Sequence, residues 1–309
     1  MNRPTHIIDP GGDVMLVLSP QDESEYSTPM GTIDGDVPEE TTDEPVEEIF
    51  YIQVSAKHLK RASPFFRSLF LGAGDKSQIY ELNGLTHIDE YGWDLDALLI
   101  VLRGIHDQHQ DIPENLTLEM VAKVAQIMKH YRCKKALSSI ISKWITNLED
   151  IPTTYSQDLM LWVWISWAFK LPAQYNQSTS VAMSCSKHEF NNWTIPLPRS
   201  IIELMNRGRQ EAIEYLLISL HNTHETFQLG HGGCDVLRPS FCGSFSTMLQ
   251  CTIFLAMDHD VPFKNLNYTS LVEMILTFHA KAYCAHCTSL LPFVELNGSV
   301  GGLFLHQRS

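Results

Sequence analysis

The sequence predicts an α+β domain, a short sheet flanked by helices, followed by an all-helical C-terminal region. Three observations carry this. Residues 13–18 and 49–54 are runs of aliphatic, β-branched and aromatic residues of strand length. Ser63-Pro64 opens a segment in which Phe65, Phe66, Leu69 and Phe70 recur at helical spacing. From residue 156 onward the apolar residues recur at intervals of three and four, the period of helices packed on one another.

Taken in order, residues 1–12 read as a flexible lead-in and Asp13-Val14-Met15-Leu16-Val17-Leu18 as the first strand. Residues 20–48 then turn to Asp, Glu, Ser, Thr, Pro and Gly, with no Lys or Arg. Such a composition buries too little apolar surface to offset its ordering entropy, so it reads as a disordered acidic insertion between two strands that pair across it. Its Ser24, Ser27, Thr28 and Thr42 stand among acids and are candidate phosphorylation sites. Ile49-Phe50-Tyr51-Ile52-Gln53-Val54 is the second strand. Ser63 is placed as an N-cap, with Pro64 at the first helical position, where its missing N–H costs nothing.

Ile79-Tyr80-Glu81-Leu82 is a further short strand, closed by Asn83-Gly84. Helices are predicted over 92–106, with acidic Asp94 and Asp96 at its positive end, over 116–129, and over 134–148. Glu149-Asp150-Ile151-Pro152 signals a stop and a restart, which divides the chain into residues 13–148 and 149–309. The second part reads as helices over 156–169, 173–185, 198–221, 244–257 and 266–280. The 198–221 segment repeats Ile202, Met205, Ala212, Ile213, Leu216, Leu217 and Leu220 on one face and is predicted to be central. Trp162, Trp164 and Trp167 belong to an apolar helix and are read as core rather than a ligand cage.

The stretch Ile52-Gln53-Val54-Ser55-Ala56-Lys57-His58-Leu59, continuing into Ala62-Ser63-Pro64-Phe65-Phe66, resembles the signature of a BTB/POZ domain. Asp13-Val14 at the first strand is similar to the opening of that domain. The run Gly92-Trp93-Asp94-Leu95-Asp96-Ala97-Leu98-Leu99 with Ile105-His106 is similar to the next helix of the BTB proteins of filamentous fungi. The likeness to that fungal group continues through Met120-Val121-Ala122-Lys123-Val124-Ala125, Tyr131-Arg132-Cys133, Trp144-Ile145, Ile151-Pro152-Thr153-Thr154-Tyr155 and Asp158-Leu159-Met160-Leu161-Trp162-Val163-Trp164. It reaches Pro196-Leu197-Pro198-Arg199-Ser200 and Arg209-Gln210-Glu211-Ala212-Ile213, and so covers nearly the whole chain. Ser55 stands where the wider BTB pattern carries a His, so interface features of animal BTB domains are not carried over.

The resemblance implies a BTB domain over 13–148, a helical C-terminal domain over 149–309, and a non-enzymatic protein–protein interaction module or adaptor. The partners it implies are proteins, among them a second copy of the chain or another BTB protein. Two alternatives come from other classes: a substrate adaptor of a cullin-type ubiquitin ligase, docking through residues 71–115, and a metal-dependent or thiol enzyme in the helical region.

Charge and cysteine usage bear on both. A formal net charge of -14 repels phosphate backbones, and the clusters Lys57-Lys60-Arg61-Arg67 and Lys129-Arg132-Lys134-Lys135 read as solvated helix faces, so no nucleic-acid partner is expected. The apolar run over 159–169 falls short of the roughly 20 residues a bilayer needs, so no membrane partner is expected. Seven cysteines, an odd number and mostly far apart, with no apolar leader in residues 1–10, imply free thiols in a reducing compartment, cytoplasmic or nuclear.

The metal candidates are His221 and His224 at i and i+3, with His231, Cys234, Cys242, Cys284, His286 and Cys287 downstream. Zinc takes four tetrahedral N or S ligands, and these residues form no pair of tight knuckles, since Cys284-Ala285-His286-Cys287 is the only C-x-x-C in the chain. There is no His-Glu-x-x-His, no Gly-x-x-x-x-Gly-Lys-Ser/Thr and no Gly-x-Ser-x-Gly. The reading therefore assigns no catalytic, cofactor-binding or metal residue and expects no cofactor.

Overall fold

The computed structural model describes residues 3–20, 48–72, 78–191, 196–229, 263, 265–281 and 301–302, with the side chains of 223–224, 226–228 and 278–281 outside that description. The acidic insertion, the expected helix over 244–257 and all the cysteines beyond Cys185 lie outside the described residues. The chain forms two compact units, Met1–Leu148 and Glu149–Ser309.

The first unit is α+β. Its strands are β1 (His6–Ile7), β2 (Val14–Ser19), β3 (Phe50–Val54), β4 (Ile79–Leu82) and β5 (Leu85–Tyr91), in one sheet of order β1-β3-β2-β5-β4. β2 and β3 pair antiparallel with Leu16 opposite Ile52, and β5 runs parallel to β2 with Ile88 opposite Leu16. Those three residues are fully buried at the sheet's centre. Residues 5–12 are not a loose lead-in. β1 pairs parallel to β3, the Thr5 N–H donates to the Tyr51 carbonyl at 2.8 Å, and the Ile8 N–H donates to the Gln53 carbonyl at 3.0 Å. Two strand residues without alternation give no sequence signal, and β5 was also missed because Thr86, His87, Asp89 and Glu90 break its apolar pattern.

Helices α1 (Ala56–Ala62) and α2 (Pro64–Phe70) are separated by Ser63, whose extended backbone ends one helix and whose Oγ caps the next by accepting from the Phe66 N–H at 3.2 Å. The same hydroxyl donates to the Tyr131 carbonyl at 2.5 Å. α3 (Leu95–Ile105) starts at Asp94, which accepts from the Ala97 N–H at 3.0 Å and holds Lys123 of α4 (Leu118–His130) at 2.9 Å. The 134–148 helix predicted as one element divides into a 3-10 turn, Lys134–Leu137, and α5 (Ser138–Asn147). α5 buries Ile141 and Trp144.

In the second unit α6 (Gln157–Phe169) is apolar around its circumference and buries Trp162 and Trp164, while Trp167 is half-buried. α7 (Pro172–Cys185) follows after Lys170 in left-handed conformation at φ 59. α8 (Arg199–Gln228) extends two turns past its expected end, and α9 (Tyr268–Lys281) packs against α7 and α8. Ile202, Met205, Ile213, Leu216 and Leu220 of α8 are buried, but Ala212 and Leu217 are only half-buried. Arg209 joins the buried face. Among the described residues no helix is long and apolar enough to cross a membrane.

Candidate functional site

The first unit gathers one His/Asp cluster from three distant elements. Asp9 sits in the turn after β1, where its Oδ1 accepts from the Gly11 N–H at 2.9 Å and its carbonyl from the Gly12 N–H at 2.9 Å. His58 lies on α1, and His106 is the C-cap of α3. One ligand atom from each lies within 4.8 Å of the others, and the two imidazole rings are 4.9 Å apart. His58 Nδ1 is buried, has no hydrogen-bond partner among the described residues, and stands 3.9 Å from Asp9 Oδ2.

The partners of His106 decide what this cluster can do. The Ser55 N–H donates to His106 Nε2 at 3.0 Å, and the opposite ring nitrogen, Nδ1, lies 2.8 Å from the Leu102 carbonyl. An amide N–H can only donate and a carbonyl can only accept, so the ring is the neutral tautomer protonated on Nδ1. Burial lowers its pKa, which favours the same neutral form. With the Nε2 lone pair taken, a cation would find only the Asp9 carboxylate and His58, short of the four ligands zinc takes. The cluster brings β1, α1 and α3 together.

The metal candidates named from the sequence do not come together within the described residues. His221 is exposed and pairs with Glu225 at 3.4 Å one turn along α8, and the side chain of His224 lies outside the description. His231, Cys234, Cys242, Cys284, His286 and Cys287 also lie outside it. Of the two described cysteines, Cys133 is buried with its thiol pushed up to about 12, which leaves it unreactive as a thiolate, and Cys185 is half-buried beside Thr269.

What the first unit does present is surface. Among the described residues β1 and β4 are the outer strands. Ile7 of β1 and Tyr80 and Leu82 of β4 are exposed, as are Leu71 and Tyr91. Tyr80 stacks on His87 at 5.3 Å with an interplanar angle of 15°, and its hydroxyl donates to Asp89 at 3.2 Å, so this edge presents a stacked aromatic pair. Beside β1 an open trough of about 510 Å³ is lined by Ile7, Ile8, Leu99, Arg103, Gln108 and Asp111. Gln108 donates to the Ile8 carbonyl at 2.7 Å and Arg103 to the Asp111 carbonyl at 3.1 Å, which fixes the walls. Lys60, Arg61 and Arg67 of α1 and α2 are exposed and engaged locally: Arg61 pairs with Asp107, Lys60 stands 4.9 Å over the Phe70 ring, and Arg67 Nε donates to the Lys60 carbonyl at 3.2 Å. In the second unit a cleft of about 260 Å³ is lined by Tyr155, Ser156, Gln157, Met160, Phe190 and Leu197, with no buried charged group in its wall.

No pattern in the sequence could have indicated the Asp9–His58–His106 cluster, because its members are far apart along the chain and none stands in a ligand-spaced motif. No family model matches this chain, and neither a curated protein nor a solved structure does.

Proposed function

We propose that this protein is a BTB/POZ-type interaction module that acts by presenting surfaces to other proteins, a second copy of the chain among them. The observation that carries the reading is the order and pairing of elements in the first unit. Two antiparallel strands, β2 and β3, flank the acidic insertion, and two helices broken at Ser63-Pro64 follow. A strand then returns parallel to β2, and α3, α4 and α5 close the unit. The resemblance at residues 52–66 and 92–106 implies a short sheet flanked by helices, and this order of elements supports that reading. The exposed apolar residues on the outer strands support the same reading, since unpaired strand edges with apolar side chains are ready templates for another chain.

The test is light scattering of the full chain across concentration, together with binding of a cullin N-terminal domain to immobilised protein. A mass that doubles with concentration supports a self-associating module, whose interface would bury more than about 1,000 Å². A strict monomer that retains the cullin moves the reading to the ligase adaptor. A strict monomer that retains no cullin, and carries one tightly held zinc lost on substituting Cys284 and Cys287, overturns it.

A further inference from the structure

The end of β5 carries a carboxyl that the interaction reading does not use. Glu90 is 6% exposed, opposite Leu18 of β2, and reaches back toward the C-terminal end of α4. The Trp93 Nε1–H donates to its Oε2 at 2.9 Å. The Tyr131 hydroxyl also faces it, buried and without a well-formed hydrogen bond of its own. The remaining titratable groups packed on these rings are the Cys133 thiol beside Tyr131 and the His130 imidazole, 5.2 Å from the rings of both Trp93 and Tyr131. Burial, and after it the Arg132 charge, lowers the His130 pKa, so that ring offers no cation at or above neutrality, where the Glu90 anion forms. Among the described residues an ionised Glu90 thus has two neutral donors and no counter-charge, and a buried anion so poorly served is costly. Burial pushes the carboxyl up to about 7, with the Trp93 and Tyr131 donors pulling against that rise.

Tyr131 connects this carboxyl to the rest of the unit. Its carbonyl accepts from Ser63, whose hydroxyl caps α2, and its ring packs 4.5 Å from Phe66. The Arg132 that follows is in left-handed conformation at φ 54, so the chain turns sharply there and the turn depends on tertiary support.

We propose that Glu90, Trp93 and Tyr131 form a proton-operated clasp between β5, the α4 C-terminus and the α2 cap. A solvent proton on the Glu90 carboxylate removes the buried charge and closes the clasp. Release of that proton leaves an anion among aromatic rings and loosens the Tyr131 turn together with the start of α2. The surface around half-exposed Phe65 and exposed His130 is then presented differently below and above neutrality.

Hydrogen exchange on the full chain tests this, with wild type and Glu90→Gln compared at about pH 5.5 and about pH 8, on either side of neutrality. Protection is expressed relative to the unstructured peptide at the same pH. Between the lower and the higher pH wild type alone is expected to lose protection at least tenfold at residues 63–70 and 128–136, so that its gap from Glu90→Gln widens, since the opened carboxyl already ionises at the lower pH. Equal protection at the higher pH, or a loss that persists in Glu90→Gln, overturns the proposal. Should Glu90→Gln fail to fold, Tyr131→Phe decides. It removes one of the two donors to the anion, so the loss of protection must move to lower stability at high pH and its midpoint to higher pH; an unmoved midpoint also overturns the proposal.

Discussion

The backbone N–H of Ser55 donates to Nε2 of His106 across 3.0 Å, joining the end of β3 to the end of α3 with a single imidazole. Ser55 is the N-cap of α1, yet its hydroxyl makes no cap bond, so its structural contribution there runs through the amide. The Leu102 carbonyl holds the opposite ring nitrogen at 2.8 Å, and His106 is thereby fixed in one tautomer and one orientation. A ring with both nitrogens engaged in this way is a bracket between elements and is poorly placed as an acid, a base or a ligand.

His106→Phe keeps the ring volume but leaves the buried Ser55 N–H without an acceptor, and is expected to cost about 1–3 kcal/mol in chemical denaturation. The pH dependence has a definite sign. The folded-state pKa of His106 is lowered, so the unfolded chain takes up the proton first as pH falls. Its contribution is fully present above the ordinary imidazole value of about 6.5 and is lost as pH drops through and below it. The wild-type midpoint minus that of His106→Phe is therefore expected to shrink on acidification, and a difference that grows would contradict the tautomer assigned here.

Phe66 is 0% exposed and packs against Phe65 at 5.3 Å and Tyr131 at 4.5 Å. Phe66→Ala is expected to destabilise the first unit by about 3–5 kcal/mol, the range for truncating a buried aromatic. Thermal or urea unfolding followed by circular dichroism measures it.

The helix starts at Ser63 and Ser156 were legible because their cause is local, whereas the helix that Asp94 caps was expected to begin earlier, at residue 92. Ser63, Asp94, Thr117 and Ser156 each accept from the backbone N–H three residues on, and each stands in the sequence just ahead of an apolar periodic run. The uniformly apolar 159–169 run was legible as a buried helix for the same reason, since its length and composition leave few alternatives. β1 was not legible, because its hydrogen bonds come from β3, far along the chain; β5 pairs with distant β2 but also with β4 across Asn83-Gly84, a local hairpin signal that its mixed Thr86, His87, Asp89 and Glu90 obscured. Arg209 falls in register with the apolar face of α8, but its charge type argued for solvent. Nothing in the sequence indicated that carbonyls from two segments, 186–187 and 263–266, would converge on it.

Gly12 is expected to tolerate no side chain. A Cβ there would lie 2.4 Å from the Val54 carbonyl oxygen and 2.7 Å from its carbon, backbone atoms that pair β3 with β2 through Val14 and cannot retreat without breaking that pairing. Gly12→Ala is expected to cost about 3 kcal/mol, the upper end for overpacking, while Gly11→Ala, whose nearest neighbour is 3.6 Å away, serves as a near-neutral control. Equal melting temperatures for the two variants would refute the close approach.

Arg209 is 1% exposed and, among the described residues, forms no salt bridge, with Glu189 acting on it only at a distance. Its Nε donates to the Ser186 carbonyl at 3.1 Å, and its Nη2 is shared among the carbonyls of Lys187, Phe263 and Leu266 at 3.2, 2.8 and 2.7 Å. Ser186 is the C-cap of α7, so the cation also faces the negative end of that helix. The Lys187 and Phe263 carbonyls accept backbone N–H groups from Asn265 and Leu266 as well, so removing the guanidinium falls hardest on Ser186 and Leu266. Arg209→Met keeps the apolar stem and is expected to cost about 3 kcal/mol or more, from two buried acceptors left unsatisfied. Arg209→Lys should recover only a minor part, because a single ammonium cannot reach carbonyls that the planar guanidinium spans from two nitrogens. Urea unfolding of the three proteins at neutral pH measures both differences; a neutral Arg209→Met, or full recovery by Lys, would mean that the carbonyl cradle contributes little to holding α7, α8 and the 263–267 segment together.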